Sequence, residues 1–185
     1  MYLSKDGITR IGLVGKMRAG KDTVAEYLWL DRGFDYPIAF GDALKRIAHE
    51  IFPDVPKVPK PRELYQFMNV MRDYDEDVWV KQLDRTYKAA INFRDVTGVV
   101  VTDARQENEV KWLKDNGFTL IKVDAPLELR KERAKTDGDD FIEEHFEHKT
   151  EQFVDEVEAD FTVVNDGDLS DLHRKIDEIL AKIGW

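Results

Sequence analysis

The stretch Gly15-Lys16-Met17-Arg18-Ala19-Gly20-Lys21-Asp22-Thr23 places two glycines five apart, the second followed by lysine. An apolar run, Ile8–Val14, precedes it. A segment with Val24, Ala25, Leu28 and Trp29 at helical spacing follows. That pattern, between a strand and a helix, is the context of a loop that cradles phosphates. Glycines let the backbone N–H groups of Gly15, Lys16, Ala19 and Gly20 turn toward phosphate oxygens. The helix that starts there adds unpaired N–H groups and the positive end of its dipole. Lys21, a charge on a turn, serves the β- and γ-phosphates of a nucleoside triphosphate. Asp22 stands where Ser or Thr commonly ligates magnesium, and Thr23 comes one later. Asp22 fits two readings. It is a magnesium ligand, directly or through water, or a first-turn acid favoured by the helix dipole.

A second signal is Val99-Val100-Val101-Thr102-Asp103, an acid at the end of a continuous apolar run. Ligands gather at the carboxyl ends of strands in open α/β sheets. Asp103 is therefore a second magnesium candidate, and Arg105 points toward the same crevice. Arg130 and Arg133 are three apart, on one face of a helix. They are either lid cations brought onto a transferring phosphoryl group or a solvated face shared with Glu128 and Glu132. Arg62 and Arg72 lie in an aromatic-rich segment with Tyr65, Phe67, Tyr74 and Trp79. Glu144, His145, Glu147 and His148 are read as a solvated acidic helix, since their order is not the His-Glu-x-x-His of a zinc site. His49 and His173 are read as boundary residues of amphipathic helices.

These groups need positioning elements, and the chain supplies them in alternation. Strands are expected at Ile8–Val14, Tyr36–Phe40, Val99–Thr102, Thr119–Val123 and Phe161–Val164. Helices are expected at Thr23–Leu30, Ala43–Phe52, Glu107–Asn116, Leu127–Lys135 and from Leu169 to Ile183. Pro53, Pro56, Pro59 and Pro61 break the pattern, and a helical insert follows at about 63–93. Alternating strands and helices predict an α/β fold with a five-stranded parallel sheet covered on both faces.

Composition narrows the function classes. The 185 residues contain no cysteine, which excludes disulfides, a Cys-ligated zinc and a thiol nucleophile. The N-terminus carries charges where a signal peptide needs an apolar core, and no apolar run approaches a membrane span. A cytoplasmic protein without membrane association is expected. The net charge is −10, yet residues 137–168 alone hold 13 acids against Lys149, a local −12 that leaves the remainder at +2. No basic stripe for nucleic acid is evident, whereas a small anion held by local cations fits.

The stretch Gly15–Tyr27 (GKMRAGKDTVAEY) resembles the phosphate loop, or Walker A motif, of the phage-type deoxynucleoside monophosphate kinases, which often carry Gly-Lys-Asp-Thr. Ala39–Lys45, Pro61–Phe67 and Val101–Arg105 resemble further blocks of that family. Asn165-Asp166-Gly167 is similar to the loop near the adenine in P-loop kinases. A Gly-Phe-Pro-Arg acceptor block is absent, and Asp103-Ala104-Arg105 stands in its place. The resemblance implies a single P-loop kinase domain over residues 1–185, of three layers. It would carry an acceptor-binding insert at about 53–97 and a lid at about 127–160. It implies transfer of the ATP γ-phosphoryl group to a (deoxy)nucleoside monophosphate, by a monomer or homodimer. Gly15, Lys16, Ala19, Gly20, Lys21, Asp22, Thr23, Asn165 and Gly167 would hold ATP. Asp22 and Asp103 would hold Mg²⁺. Asp42, Lys45, Arg62, Arg72, Trp79 and Arg105 would meet the acceptor, and Lys21, Arg105, Arg130 and Arg133 would act in the transfer. Two alternatives remain beside it: a P-loop kinase for another phosphorylated acceptor such as dephospho-coenzyme A, and an ATP-dependent switch.

Overall fold

The computed structural model describes residues 6–35, 37–93, 95–136 and 149–185. Tyr36, and the Glu144, His145, Glu147 and His148 group, lie outside the described residues. Strand β1 (Thr9–Val14) is buried along its whole length. It pairs in parallel with β3 (Gly98–Ala104) on one side and β4 (Thr119–Asp124) on the other. β4 pairs in parallel with β5 (Phe161–Val164). With β2 (Ile38–Ala39), the sheet has five strands in the order β2-β3-β1-β4-β5. The expected α/β architecture is present.

Alternation along β1 decides which helix covers which face. Ile11 and Leu13 join Val100, Ile121 and Val163 in a cluster with Val24 and Leu28 of α1 (Lys21–Arg32) and Leu172, Ile176 and Leu180 of α8 (Leu169–Ile183). Gly12 faces the other way. A Cβ there would come within 2.9 Å of Leu113 on α5 (Glu107–Asp115) and 2.8 Å of Leu120. Helices therefore cover both faces, and the small residue lets α5 approach. Two further helices, α6 (Leu127–Thr136) and α7 (Lys149–Glu156), follow β4.

The chain forms two compact units. One comprises Met1–Pro37 with Val96–Trp185, and the other Ile38–Asp95. The smaller unit contains α2 (Phe40–Ile51), α3 (Arg62–Asn69), a 3₁₀ turn at Val70–Asp73 and α4 (Val78–Phe93). Its core is Leu44, Ala48, Met68 and Trp79, flanked by Ile47, Leu64, Tyr65 and Val78. The second strand is shorter than expected: Phe40 opens α2 instead of ending β2. The cause is local. The Asp42 carboxylate accepts the Ala39 N–H at 2.8 Å and caps the helix one turn early. The proline run from Pro53 to Pro61 carries neither helix nor strand, as expected. Among the described residues, no helix is long and apolar enough to cross a membrane.

A polar cluster ties α1 to α8. Arg32 grips Asp177 through two bonds, Nε to Oδ1 and Nη2 to Oδ2, both 2.7 Å. The Tyr27 hydroxyl donates to the same carboxylate at 2.9 Å, and its ring stacks on His173 at 3.7 Å. The hydrogen bond from Arg32, with help from Tyr27, holds the Asp177 carboxyl below its usual value. Burial, then the bond to Asp177, pushes the Tyr27 phenol up. A carboxyl with a depressed folded-state pKa adds stability above its unfolded value, roughly 3.9, and loses it as pH falls through the folded value. Asp177→Asn is therefore expected to melt a few degrees below the parent at pH 7. The gap should close as the pH is taken from about 5 toward 3. Thermal unfolding followed by circular dichroism across that range checks it, and a gap independent of pH would refute the ionic role.

Candidate phosphate-binding site

Strand register brings the candidate groups to one end of the sheet. Val14, the last residue of β1, lies opposite Ala104 of β3 and Lys122 of β4. Val164 of β5 lies opposite Asp124 of β4. All these pairings are parallel, so the loops after β1, β3, β4 and β5 emerge together. The loop after β1 starts at the centre of that edge, where strand order reverses and ligands bind in such sheets.

The glycines of this loop answer to close neighbours. A Cβ on Gly15 would lie 2.3 Å from the Val123 carbonyl oxygen, a backbone atom of β4. Gly20 has φ +105°, and a Cβ on it would lie 2.2 Å from Asn165 Nδ2. Arg18 also takes a left-handed conformation, at φ 62°. Lys21 is the first residue of α1 and only 5% exposed. This corrects its reading as a charge on a turn. Its ammonium donates to the Lys16 carbonyl oxygen at 3.0 Å, and the Ala19 N–H donates to the same oxygen at 3.2 Å. Asp22 is exposed in the first turn of the helix, and Thr23 is half-buried.

Three side chains from distant elements reach the backbone of the loop. Arg130 and Arg133 come from α6. Arg130 Nη1 donates to the Met17 carbonyl and Arg133 Nη1 to the Arg18 carbonyl, each at 3.3 Å. Asn165, just after β5, donates from Nδ2 to the Ala19 carbonyl at 2.9 Å. Arg130 is 4% exposed, so a solvated helix face does not describe it. Lys16 pairs with Asp155 of α7 at 2.7 Å, and Lys122 donates to the Asp155 carbonyl at 3.0 Å. Gly167 lies against Asp171, and Lys175 holds the Val164 carbonyl at 2.7 Å, which fixes the 165–167 loop.

The end of β3 is irregular. Gly12 and Val14 of β1 oppose Val101 and Ala104 of β3, so β3 carries one extra residue. Asp103 falls in that bulge at φ 66°. A bulge re-aims a side chain at a sheet edge. Here the Asp103 carboxylate meets Arg105 Nε at 2.7 Å. The Arg105 N–H donates to Glu109, a buried acid on α5, at 2.8 Å. Two carboxylates, Asp22 and Asp103, match the oxygen chemistry of magnesium. That ion takes one or two protein carboxylates and draws its remaining ligands from phosphates and water. Among the described residues, no group of three or more acids and histidines forms a dedicated metal cage.

The other predicted residues belong to the smaller unit. Asp42 caps α2 and lies 3.8 Å from Lys45. Arg62 opens α3. Arg72 donates from Nε to Asn69 Oδ1 at 2.9 Å. Trp79, expected to meet the acceptor, is 1% exposed in the core of this unit, so it is a packing residue. Exposed aromatics in this unit include Phe52 at 38%, Phe67 at 65% and Tyr74 at 97%. Sequence spacing did not reveal Asp155 or Glu109. It also did not reveal that Asn165 holds the loop, because the two are 146 residues apart in the chain.

A sequence model of the family described as AAA domain matches residues 11–155. A protein of Acanthamoeba polyphaga mimivirus named putative deoxynucleotide monophosphate kinase is 29% identical over 143 residues, covering 63% of this chain and 74% of that protein. The deoxynucleotide monophosphate kinase of Escherichia phage RB69 is 31% identical over 126 residues, covering 64% of this chain. The match spans 46% of the phage protein's length. These relatives bear out the resemblance to the phage-type kinases. A shikimate kinase from Acinetobacter baumannii, solved with shikimate, superimposes with a TM-score of 0.56 at 20% identity, covering 95% of this chain and 94% of that one. That likeness concerns the fold: a P-loop, kinase-like α/β architecture.

The two kinds of glycine constraint can be separated by substitution. Gly15→Ala drives a methyl into a backbone carbonyl that cannot step aside, and a loss of about 3 kcal/mol or more in stability is expected. Gly33 has φ +74° and open space where a Cβ would stand, so Gly33→Ala should cost only about 1 kcal/mol of backbone strain. Denaturant unfolding of both variants checks the order, and equal losses would refute the close approach at Gly15.

Proposed function

The chain belongs to the AAA domain family, and from that premise we propose that it is an ATP-dependent kinase acting on a nucleoside or deoxynucleoside monophosphate, giving the diphosphate and ADP. The observation that carries the reading is the loop itself. A buried lysine and a backbone N–H already converge on one oxygen, the Lys16 carbonyl, at the start of a helix. A phosphate oxygen is the stronger acceptor for both donors. The names of the two viral relatives support the acceptor class. ATP and such an acceptor fit a cytoplasmic enzyme.

In this reading Gly15, Lys16, Ala19, Gly20, Lys21 and Thr23 bind the triphosphate, and Asn165 and Gly167 shape the nucleotide side. Asp22 and Asp103 would hold Mg²⁺, which supplies charge neutralisation between the phosphates. The acceptor phosphate has a second pKa of about 6 and is largely ionised at neutral pH. It needs no general base. The chain's task is to gather anions, align them and exclude water. Lys21 and Lys16, with Arg130 and Arg133 beside the loop, lower the electrostatic cost of gathering them. Asp42, Lys45, Arg62 and Arg72 are the proposed acceptor-binding residues. Arg105, which pairs with Asp103 at 2.7 Å, is proposed to meet the acceptor as well.

A panel of monophosphate acceptors with radiolabelled ATP tests the activity. A labelled nucleoside diphosphate supports the reading, whereas a labelled coenzyme or free phosphate alone overturns it. Lys21→Met keeps the aliphatic stem and removes the charge, so it should stay folded and lose turnover by about 10³-fold or more. Arg72→Ala should raise KM for the monophosphate by roughly tenfold and leave KM for ATP nearly unchanged. Steady-state kinetics with each substrate varied separately checks both. An equal rise for ATP would move the acceptor site away from Arg72.

A further inference from the structure

Met17, Arg18 and Ala19 present three consecutive carbonyl oxygens, and each accepts a hydrogen bond from outside the loop. The donors are Arg130, Arg133 and Asn165. A trans peptide unit is planar, so its N–H points opposite to its C=O. Holding the three carbonyls from outside therefore turns the N–H groups of Arg18, Ala19 and Gly20 the other way. On that other side, the Ala19 N–H and the Lys21 ammonium meet the Lys16 carbonyl oxygen. We infer that Arg133 and Asn165 are positioning residues that clamp the loop with its N–H groups aimed at phosphates before any nucleotide arrives. The inference rests on the loop being the ATP site.

The chemistry of the pair is specific. Arg133 Nη2 donates to the Asn165 backbone oxygen at 3.2 Å and to Oδ1 at 3.3 Å. With Oδ1 accepting from a cation, Nδ2 is the atom left to face the Ala19 carbonyl. An amide is the side chain that accepts on one side and donates on the other. Arg133 reaches Arg18 and Asn165 at once because its guanidinium is a fork. A lysine carries the charge without that geometry. Asn165 is itself anchored, since its N–H donates to the Asp124 carbonyl at 2.7 Å and its residue is 6% exposed. The clamp also accounts for Gly20 beyond its φ, because Nδ2 occupies the place a Cβ would take. Arg18, at φ 62°, is the kind of strained position that persists only when neighbours hold it.

The test is ATP binding to the full chain in the presence of magnesium, measured by calorimetry, beside steady-state kinetics. Asn165→Ala is neutral for neutral, so a pure charge effect leaves it unmoved. The clamp predicts that ATP affinity falls about tenfold and KM for ATP rises, while KM for the monophosphate stays put. Arg133→Lys keeps the charge but loses the fork, so it should recover only a part of what Arg133→Ala loses. The double variant should lose less than the product of the single losses, because either change opens the same clamp. Wild-type affinity in both Asn165→Ala and Arg133→Lys would overturn the inference. So would full rescue of Arg133→Ala by lysine, which assigns a charge role, or a parallel rise of both Michaelis constants with a lowered melting temperature, which assigns a structural one. If Asn165→Ala does not fold, Arg133→Lys decides. A parent protein that binds ATP yet phosphorylates no monophosphate refutes the kinase reading and leaves the clamp judged by binding. A parent that binds no ATP refutes both.

Discussion

A strand with no exposed residue governs where chemistry can occur in this chain. β1 pairs in parallel with β3 on one side and β4 on the other and is buried along its length, so its end is fixed. The loop that follows inherits that position. Gly15 passes under the Val123 carbonyl because β4 lies one strand spacing away, and no side chain fits between them. Everything the loop can bind is set by this approach. A larger residue would lift the loop off the sheet and move Lys21 with it.

The charge of the molecule follows the same local logic. A chain at −10 overall would repel a triphosphate at long range. At short range the loop is bordered by Lys16, Lys21, Arg130 and Arg133, with Asp155 on Lys16. Buried or half-buried cations are screened less than surface ones, so a few well-placed charges outweigh a larger number of distant acids. The same economy holds between α1 and α8, where one carboxylate, Asp177, accepts from both Arg32 and Tyr27.

The smaller unit has its own core around Met68 and Trp79 and its own capped helix at Asp42. Aromatic residues there divide by depth. Trp79 fills the interior, whereas Phe67 and Tyr74 are exposed. Sequence spacing treats these rings alike, because all three occur in one helical stretch. Only packing separates the ring that stabilises the unit from the rings that face outward.

What the sequence alone determined is local in character. The glycine-lysine spacing between an apolar run and a helical pattern located the phosphate loop. The β-branched run 99–102 located β3, and the three-and-four spacing of Leu169, Leu172, Ile176, Ile179, Leu180 and Ile183 located α8. Such features depend on backbone preferences and on periodicity within a few residues. The tertiary structure decided what depends on distant segments. It buried Lys21, placed Asp103 in a bulge against Arg105, and set Asn165 against Ala19 across 146 residues. A hydrogen bond between residues so far apart leaves no period in the sequence. It exists only because β4 and β5 pair in register and carry Asn165 to the loop.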